Sequence, residues 1–316
     1  MIIDRMVHGL VWFALSLTLV LPVAAKAQDQ REIALIAEIA AEQIAQREAE
    51  AAAAEEARHR AILEEQSRLK AVYQQYLGGA RRTAQDLIAK KRSAATQEQV
   101  DAMRRQARVV IQEVQDPTKQ RVPSELDPIF ERLEQAISIT TDELRNGDPR
   151  LIKMRQQLGG KDLDWVDRTA ILYALAETRE DAQVVADNVK YREQLSDDEA
   201  NAIDEANRRR ILLGLRPLAI DMKLVACCRD HSSDMIEHGF FAHDSPVPGK
   251  TTPWDRAKNF GTTASGENIA AGYKDGLAVT MGWWYSPGHL KNMMGQGHKR
   301  IAVGQEQKHY TQMFGR

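Results

Sequence analysis

The sequence predicts an α/β fold. A small C-terminal domain of helices flanking a short sheet follows an extended all-α region, either a coiled coil or a loose bundle. Three observations lead there. Residues 29–77 are rich in Ala, Glu and Gln and contain no Gly or Pro before Gly78-Gly79. Ser196-Asp197-Asp198-Glu199 has the pattern of a capping box, with a hydroxyl at the N-cap and a carboxylate three residues on, and it opens a new helix. Near the C-terminus, Ile301-Ala302-Val303-Gly304 and residues 310–314 alternate as strands do.

The bulk properties narrow the function classes. The chain has 316 residues, with 43 Lys+Arg against 45 Asp+Glu and a net charge of −2. That length suits two domains, or one domain with an extended segment. The balance offers no basic domain, which argues against nucleic acid as a partner. Arg81-Arg82 and Lys90-Lys91-Arg92 have acidic neighbours and read as solvated helix faces. Residues 1–27 read as a secretory signal: Arg5 near the start, an apolar core over 10–23, and Ala25-Lys26-Ala27 at the cleavage site. The apolar core is short for a membrane span. Asp4 offsets Arg5, however, so membrane attachment through an uncleaved signal is the alternative. The expected location is secreted or periplasmic. The two cysteines, Cys227 and Cys228, are adjacent. A disulfide between neighbours would be strained, so they read as small packing residues.

In chain order, Ile33, Ile36, Ala40, Ala41 and Ile44 form an apolar stripe at helical spacing, resumed at Ile62, Leu63, Leu69, Val72, Tyr73 and Tyr76. Residues 51–57 between them favour helix but offer mainly methyl groups, so this helix needs a partner helix. Gly78-Gly79 is expected to end it. Further helices are expected over 82–115, over about 127–147 with Pro128 in the first turn, and over 163–194. This region carries no chemical motif; Tyr73, Tyr76 and Trp165 read as packing residues. The boundary is placed at 196, giving a helical stalk or bundle over 28–195 and a second domain over 196–316. Within the latter, a helix runs from the capping box to Gly214 and another from Asp221 to Gly239. Two turn-rich segments follow, then a helix over 277–284 ended by Pro287-Gly288, then two strands.

The chemistry concentrates in this last third. His243 follows Phe240-Phe241 and precedes Asp244-Ser245-Pro246; Glu267 lies in Ser265-Gly266-Glu267-Asn268; His309 begins a strand. Two His and a Glu could hold zinc with an open position for water, or form an acid–base pair steered by a carboxylate. The spacing selects neither, and loop-holding hydrogen bonds are the plain alternative. His231 reads as an exposed or capping histidine, and Trp283, Trp284 and Tyr285 as core. Ser245 and Ser286 lie outside any nucleophile-elbow pattern.

Four motifs stand in order: Phe240-Phe241-Ala242-His243-Asp244-Ser245-Pro246; Gly266-Glu267-Asn268-Ile269-Ala270; Trp283 with Ser286-Pro287-Gly288-His289 and Asn292; and Tyr310-Thr311-Gln312-Met313-Phe314-Gly315. Together they resemble the CAP superfamily of cysteine-rich secretory, antigen 5 and pathogenesis-related proteins (the SCP domain), and within it the bacterial branch. The resemblance covers about 196–316 and is silent on 28–195. It implies a three-layer α-β-α sandwich with a cleft that, in eukaryotic-type members, is lined by two His and two Glu. His243 matches the first His, Glu267 the first Glu, and His309 the second His, with Lys308 where Gly is usual. Ser286 stands near the place of the second Glu; the bacterial branch shares this change and brings His289. The missing carboxylate weakens a four-ligand metal site. Asn268 and Asn292 are expected to hold the cleft loops.

The expectation is a secreted CAP-type module whose cleft, around His243, Glu267, His289, His309, Ser286 and Asn268, binds a small ligand or a divalent metal without catalysis. The ligand could be a lipid or an envelope component. One alternative is a metal-dependent hydrolase acting on peptide or cell-wall material, with zinc or another divalent cation on His243, His309 and Glu267. Another is an envelope protein that forms homo-oligomers through its N-terminal helices.

Overall fold

The computed structural model describes residues 27–159 and 163–316. The signal-like segment, apart from Ala27, lies outside them. The chain divides into two compact units, one ending at Arg68 and the other spanning Leu69–Arg316.

Helix α1 is Ala27–Ala94. In the part before Arg68, Ile33, Ile36, Ile44, Ile62 and Leu63 are exposed. Contrary to expectation, Gly78 and Gly79 do not end this helix. Each glycine costs about 1 kcal/mol in a helix interior, but the face around them is buried: Tyr76, Ala80 and Ala84 are fully covered and Ile88 nearly so. Gly79 also permits close packing, since a Cβ there would come within 3.0 Å of Leu151 Cδ2.

The helices expected over 82–115, 127–147 and 163–194 are each broken at a threonine. Thr96 accepts from Gln99 N, while the Gln99 side chain accepts from Thr96 N, and this box opens α2, Gln97–Val114. After α3, Asp127–Ile137, Thr140 and Glu143 form the same box and open α4, Thr141–Gly147. Helices α5, Pro149–Gln157, and α6, Asp164–Leu175, follow, and Thr178 caps α7, Arg179–Asn188. Apolar periodicity continues across these breaks, which is why it hides them.

The second half begins at the expected box. Ser196 accepts from Glu199 N and opens α8, Asp197–Leu212. Gly214 at φ +74° terminates it. The remaining elements are β1 (Ala219–Ile220), α9 (Met222–Glu237), α10 (Pro253–Asn259), β2 (Gly266–Ala271), α11 (Gly276–Trp284), α12 (Pro287–Met293), β3 (Arg300–Glu306) and β4 (His309–Gly315). Pro287 thus opens a helix, α12, in addition to following one. Strand β2 lies where only turns were expected; its adjacent Glu267 and Asn268 are both buried, so no polar–apolar alternation marks it.

The sheet order is β1-β3-β4-β2, with β1 parallel to β3 and the other pairs antiparallel. Helix α9 covers one face, where Ser232 Oγ lies 3.0 Å from Thr311 Oγ1 and Cys227 Sγ 3.7 Å from Met313 Sδ. Helices α8, α11 and α12 cover the other, where Tyr310 donates to Asp198 and Asn268 to the His289 carbonyl. These are the three layers. Cys227 and Cys228 are free thiols on α9, and both are buried. Trp283 and Trp284 are core residues, but Tyr285 is exposed and donates to Asp127.

The helices before α8 share this core. Arg104 caps the end of α8 by donating to the carbonyls of Leu212 and Ile211. Phe130 meets Trp284 edge-on at 5.4 Å, and Arg209 lies over both rings. Asn188 bonds both Leu218 and Ile220, which ties α7 to β1.

Candidate functional site: a buried Arg–Glu pair behind an exposed histidine

Glu267 is the second residue of β2 and points to the α9 face. Its side chain is 2% exposed, and both carboxylate oxygens are engaged. Oε1 lies 2.9 Å from His243 Nδ1. Oε2 accepts from Arg256 Nη2 at 2.6 Å, and Arg256 is fully buried. Arg256 sits on α10, whose start is fixed by a capping box of Thr252 and Asp255. Its other terminal nitrogen donates to the carbonyls of Lys250 and Thr251, so the guanidinium also clamps the loop before α10.

His243 lies in the loop between α9 and α10 and is half exposed. A carboxylate accepts only, so Nδ1 must carry the proton in this contact. Nε2 is left for the cleft. The hydrogen bond to Glu267 raises the His243 pKa above its ordinary value, against the opposing effect of partial burial.

His289 stands on α12, near enough to His243 to feel its charge. Burial lowers its pKa first, and the charge of nearby His243 lowers it further. An amide network joins the strand that carries Glu267 to the helix that carries His289. Asn292 Nδ2 donates to the Glu267 carbonyl and to Asn268 Oδ1, both at 2.9 Å, and Asn268 Nδ2 donates to Gln312 Oε1 at 2.8 Å. Asn268 and Asn292 therefore hold β2 against α12. Gly266 leaves room for this, since a Cβ there would lie 3.3 Å from Asn292 Oδ1. Ser286 is the N-cap residue of α12 without a side-chain capping bond.

His309 stands four residues along the strand from the residue that pairs with Glu267. His309 starts β4 just after the β3–β4 hairpin turn and pairs with Ala271, while Glu267 pairs with Met313. Four residues of strand, roughly 13 Å, stand between them. His309 follows a two-residue turn, Gln307-Lys308, with φ of 41° and 66°. Such a hairpin turn needs positive φ whether or not Gly occupies it. The His309 ring meets Phe241 edge-on at 6.3 Å. The expected metal set of His243, His309 and Glu267 is not among the donor groups that lie within 4.8 Å of one another in the described residues, and both Glu267 oxygens are engaged. Among the described residues, the three donors that do lie within 4.8 Å of one another are Asp234, Glu237 and His238. Asp234 there is already paired with Lys250 at 2.9 Å.

Residues 203–314 match the family model described as CAP, the cysteine-rich secretory protein family. These residues are a CAP domain. Two curated relatives come from Bacillus subtilis (strain 168). The uncharacterized protein YkwD is 38% identical over 108 residues, 34% of this chain and 41% of its own. The uncharacterized membrane protein YlbC is 32% identical over 125 residues, 40% of this chain and 36% of its own. A solved extracellular protein containing a SCP domain from Bacillus anthracis str. Ames is 36% identical, with 38% of this chain and 40% of that one covered and a TM-score of 0.36. The chain thus spans about two fifths of the length of the relatives it matches. Among the described residues, no helix is long and apolar enough to cross a membrane.

Within the CAP domain, the structure brings together His243, Glu267, His289 and Asn268, with Ser286 at the start of the helix that carries His289. Arg256 belongs to the site and was not singled out in the sequence. The Thr252-x-x-Asp255 box could have placed its helix; nothing local marks its pairing with Glu267. His231, expected to be exposed, is fully buried beneath the His243 loop.

Proposed function

We propose that this protein is an extracytoplasmic CAP-domain binding module. Its cleft takes a ligand bearing a carboxylate or phosphate, which accepts from Nε2–H of the doubly protonated His243 ring while His289 closes the opposite side. One observation carries this reading: both oxygens of Glu267 are committed, one to His243 and one to buried Arg256. Glu267 is therefore an orienting group, and a carboxylate so engaged is poorly placed to deprotonate water. That counts against the hydrolase alternative, in which Glu267 is the base. The signal-like N-terminus supports a location outside the cytoplasm. Thermal-shift measurements on the full chain with soluble, carboxylate-rich cell-wall fragments test the reading. Stabilisation by the fragments, abolished in His243→Ala, is expected. Cleavage of the fragments that disappears in Glu267→Gln would overturn it in favour of catalysis.

A second reading, that the N-terminal helix mediates association, is supported by the exposed residues Ile33, Ile36, Ile44, Ile62 and Leu63. An isolated helix with an uncovered apolar stripe gains stability from a partner helix. Sedimentation of a peptide covering residues 27–68 is expected to show a concentration-dependent oligomer. A monomer with little helix at about 100 µM, well above a micromolar dissociation constant, would rule it out.

A further inference from the structure

His231 lies on α9, fully buried, with no role in the reading above. Its Nε2 is 3.2 Å from the carbonyl oxygen of Ala242, the residue immediately before His243. A carbonyl cannot donate, so Nε2 carries the proton. Nδ1 is buried without a partner. We propose that His231, fixed as its Nε2–H tautomer, is a positioning residue that sets where His243 stands in the cleft.

The loop geometry carries the argument. Gly239 at φ +65° turns the chain out of α9, and Phe240 N still bonds back to Met235 O. The next backbone tie from a main-chain N–H is Ser245 N to Thr251 O. Among the described residues, the tie on the backbone between them is the bond from His231. It acts one peptide away from His243, so a small displacement of Ala242 moves the His243 ring directly off Glu267. Phe240 packs beside the His231 ring at 5.9 Å and closes the site.

The tautomer is held by its surroundings. Protonating Nδ1 would create a second buried donor with no acceptor, which is costly. Burial lowers the His231 pKa first of all; Glu267 on β2 and Asp234 on its own helix oppose that, and Arg256 on α10 adds to it. The hydrogen bond to Ala242 also opposes the lowering, so burial is what favours the neutral ring, while the bond to Glu267 favours a protonated His243. The helix histidine and the loop histidine thus have pKa values shifted in opposite directions, and each shift suits its own hydrogen bond.

The inference rests on the His243–Glu267 pair and not on any ligand, so failure of the binding reading leaves it standing. Histidine nitrogen NMR on the full chain tests it. In the unmodified protein, His231 is expected to show a protonated Nε2 and an unprotonated Nδ1 that do not change from about pH 5.5 to about pH 8, across the ordinary histidine range. His231→Gln keeps an amide donor for Ala242 and is expected to retain the Nδ1–H signal of His243 bound to Glu267. His231→Phe keeps ring volume but no donor, and is expected to lose that signal while the sheet amides stay in place. A His231 ring that titrates or protonates Nδ1 overturns the proposal. So does a folded His231→Phe in which the His243 signal is unmoved. Should His231→Phe fail to fold, the tautomer in the unmodified protein decides.

Discussion

Replacing Arg256 with leucine is expected to lower the unfolding free energy by about 3–5 kcal/mol, the usual cost of stranding one partner of a buried ion pair. Arg256 is fully buried, and the Glu267 side chain it neutralises is 2% exposed. Without the guanidinium, Glu267 keeps only His243 as a counter-charge. The loss should therefore deepen as pH rises and His243 gives up its proton. The carbonyls of Lys250 and Thr251 also lose their donor, which loosens the loop before α10. Replacing both Arg256 and Glu267 with leucine should recover a large part of the loss, because the desolvation of two charges is then avoided. Urea unfolding of the single and double variants checks this. A single-variant loss under about 1 kcal/mol would show that the pair is far more hydrated than its geometry indicates.

Gly304→Ala is expected to cost about 3 kcal/mol or more, at or above the upper end of ordinary overpacking. Gly304 sits in β3 directly beneath α9. A Cβ there would lie 2.2 Å from Arg229 N and 2.5 Å from the carbonyl carbon of Cys228. These are backbone atoms of a helix, so no rotamer change can make room. Helix α9 would have to lift from the sheet, taking with it Cys227, Cys228 and His231, all fully buried. Gly288→Ala is the control: nothing lies within 4 Å of a Cβ at that position in α12. It should be neutral, or stabilising by about 0.5–1 kcal/mol through reduced chain entropy. Equal unfolding midpoints for the two variants would contradict this account of the α9–sheet contact.

The parts of the fold that the sequence made legible are those written in local chemistry. Ser196 and Glu199 announce their helix because the capping box needs only residues three apart. Gly214 and Gly239 stop their helices because the left-handed backbone favours glycine there. Strands β3 and β4 show as alternation. Strand β2 does not, because it puts two polar residues, Glu267 and Asn268, side by side at buried positions. Gly78-Gly79 misled because burial of Tyr76, Ala80 and Ala84 outweighs two unfavourable propensities. The site divides the same way. His243, Glu267, Asn268 and His289 stand out through their turn-rich settings and their resemblance to a family pattern. Arg256 does not, since its pairing with Glu267 is a tertiary event. His309 matched a motif in order, but order along a strand does not say which end of the sheet a residue occupies. The burial of His231 was equally invisible, because a helix position alone does not reveal which loop folds over it.

The central claim is that Glu267, held by Arg256, orients His243 as a proton-bearing group facing the cleft. The most direct test follows the His243 ring by histidine NMR through a pH titration, in the unmodified protein and in Glu267→Gln. The account predicts a protonated Nδ1 and a pKa above the ordinary 6.5 in the unmodified protein, falling toward that value in the variant. A His243 that titrates identically in both proteins would contradict it.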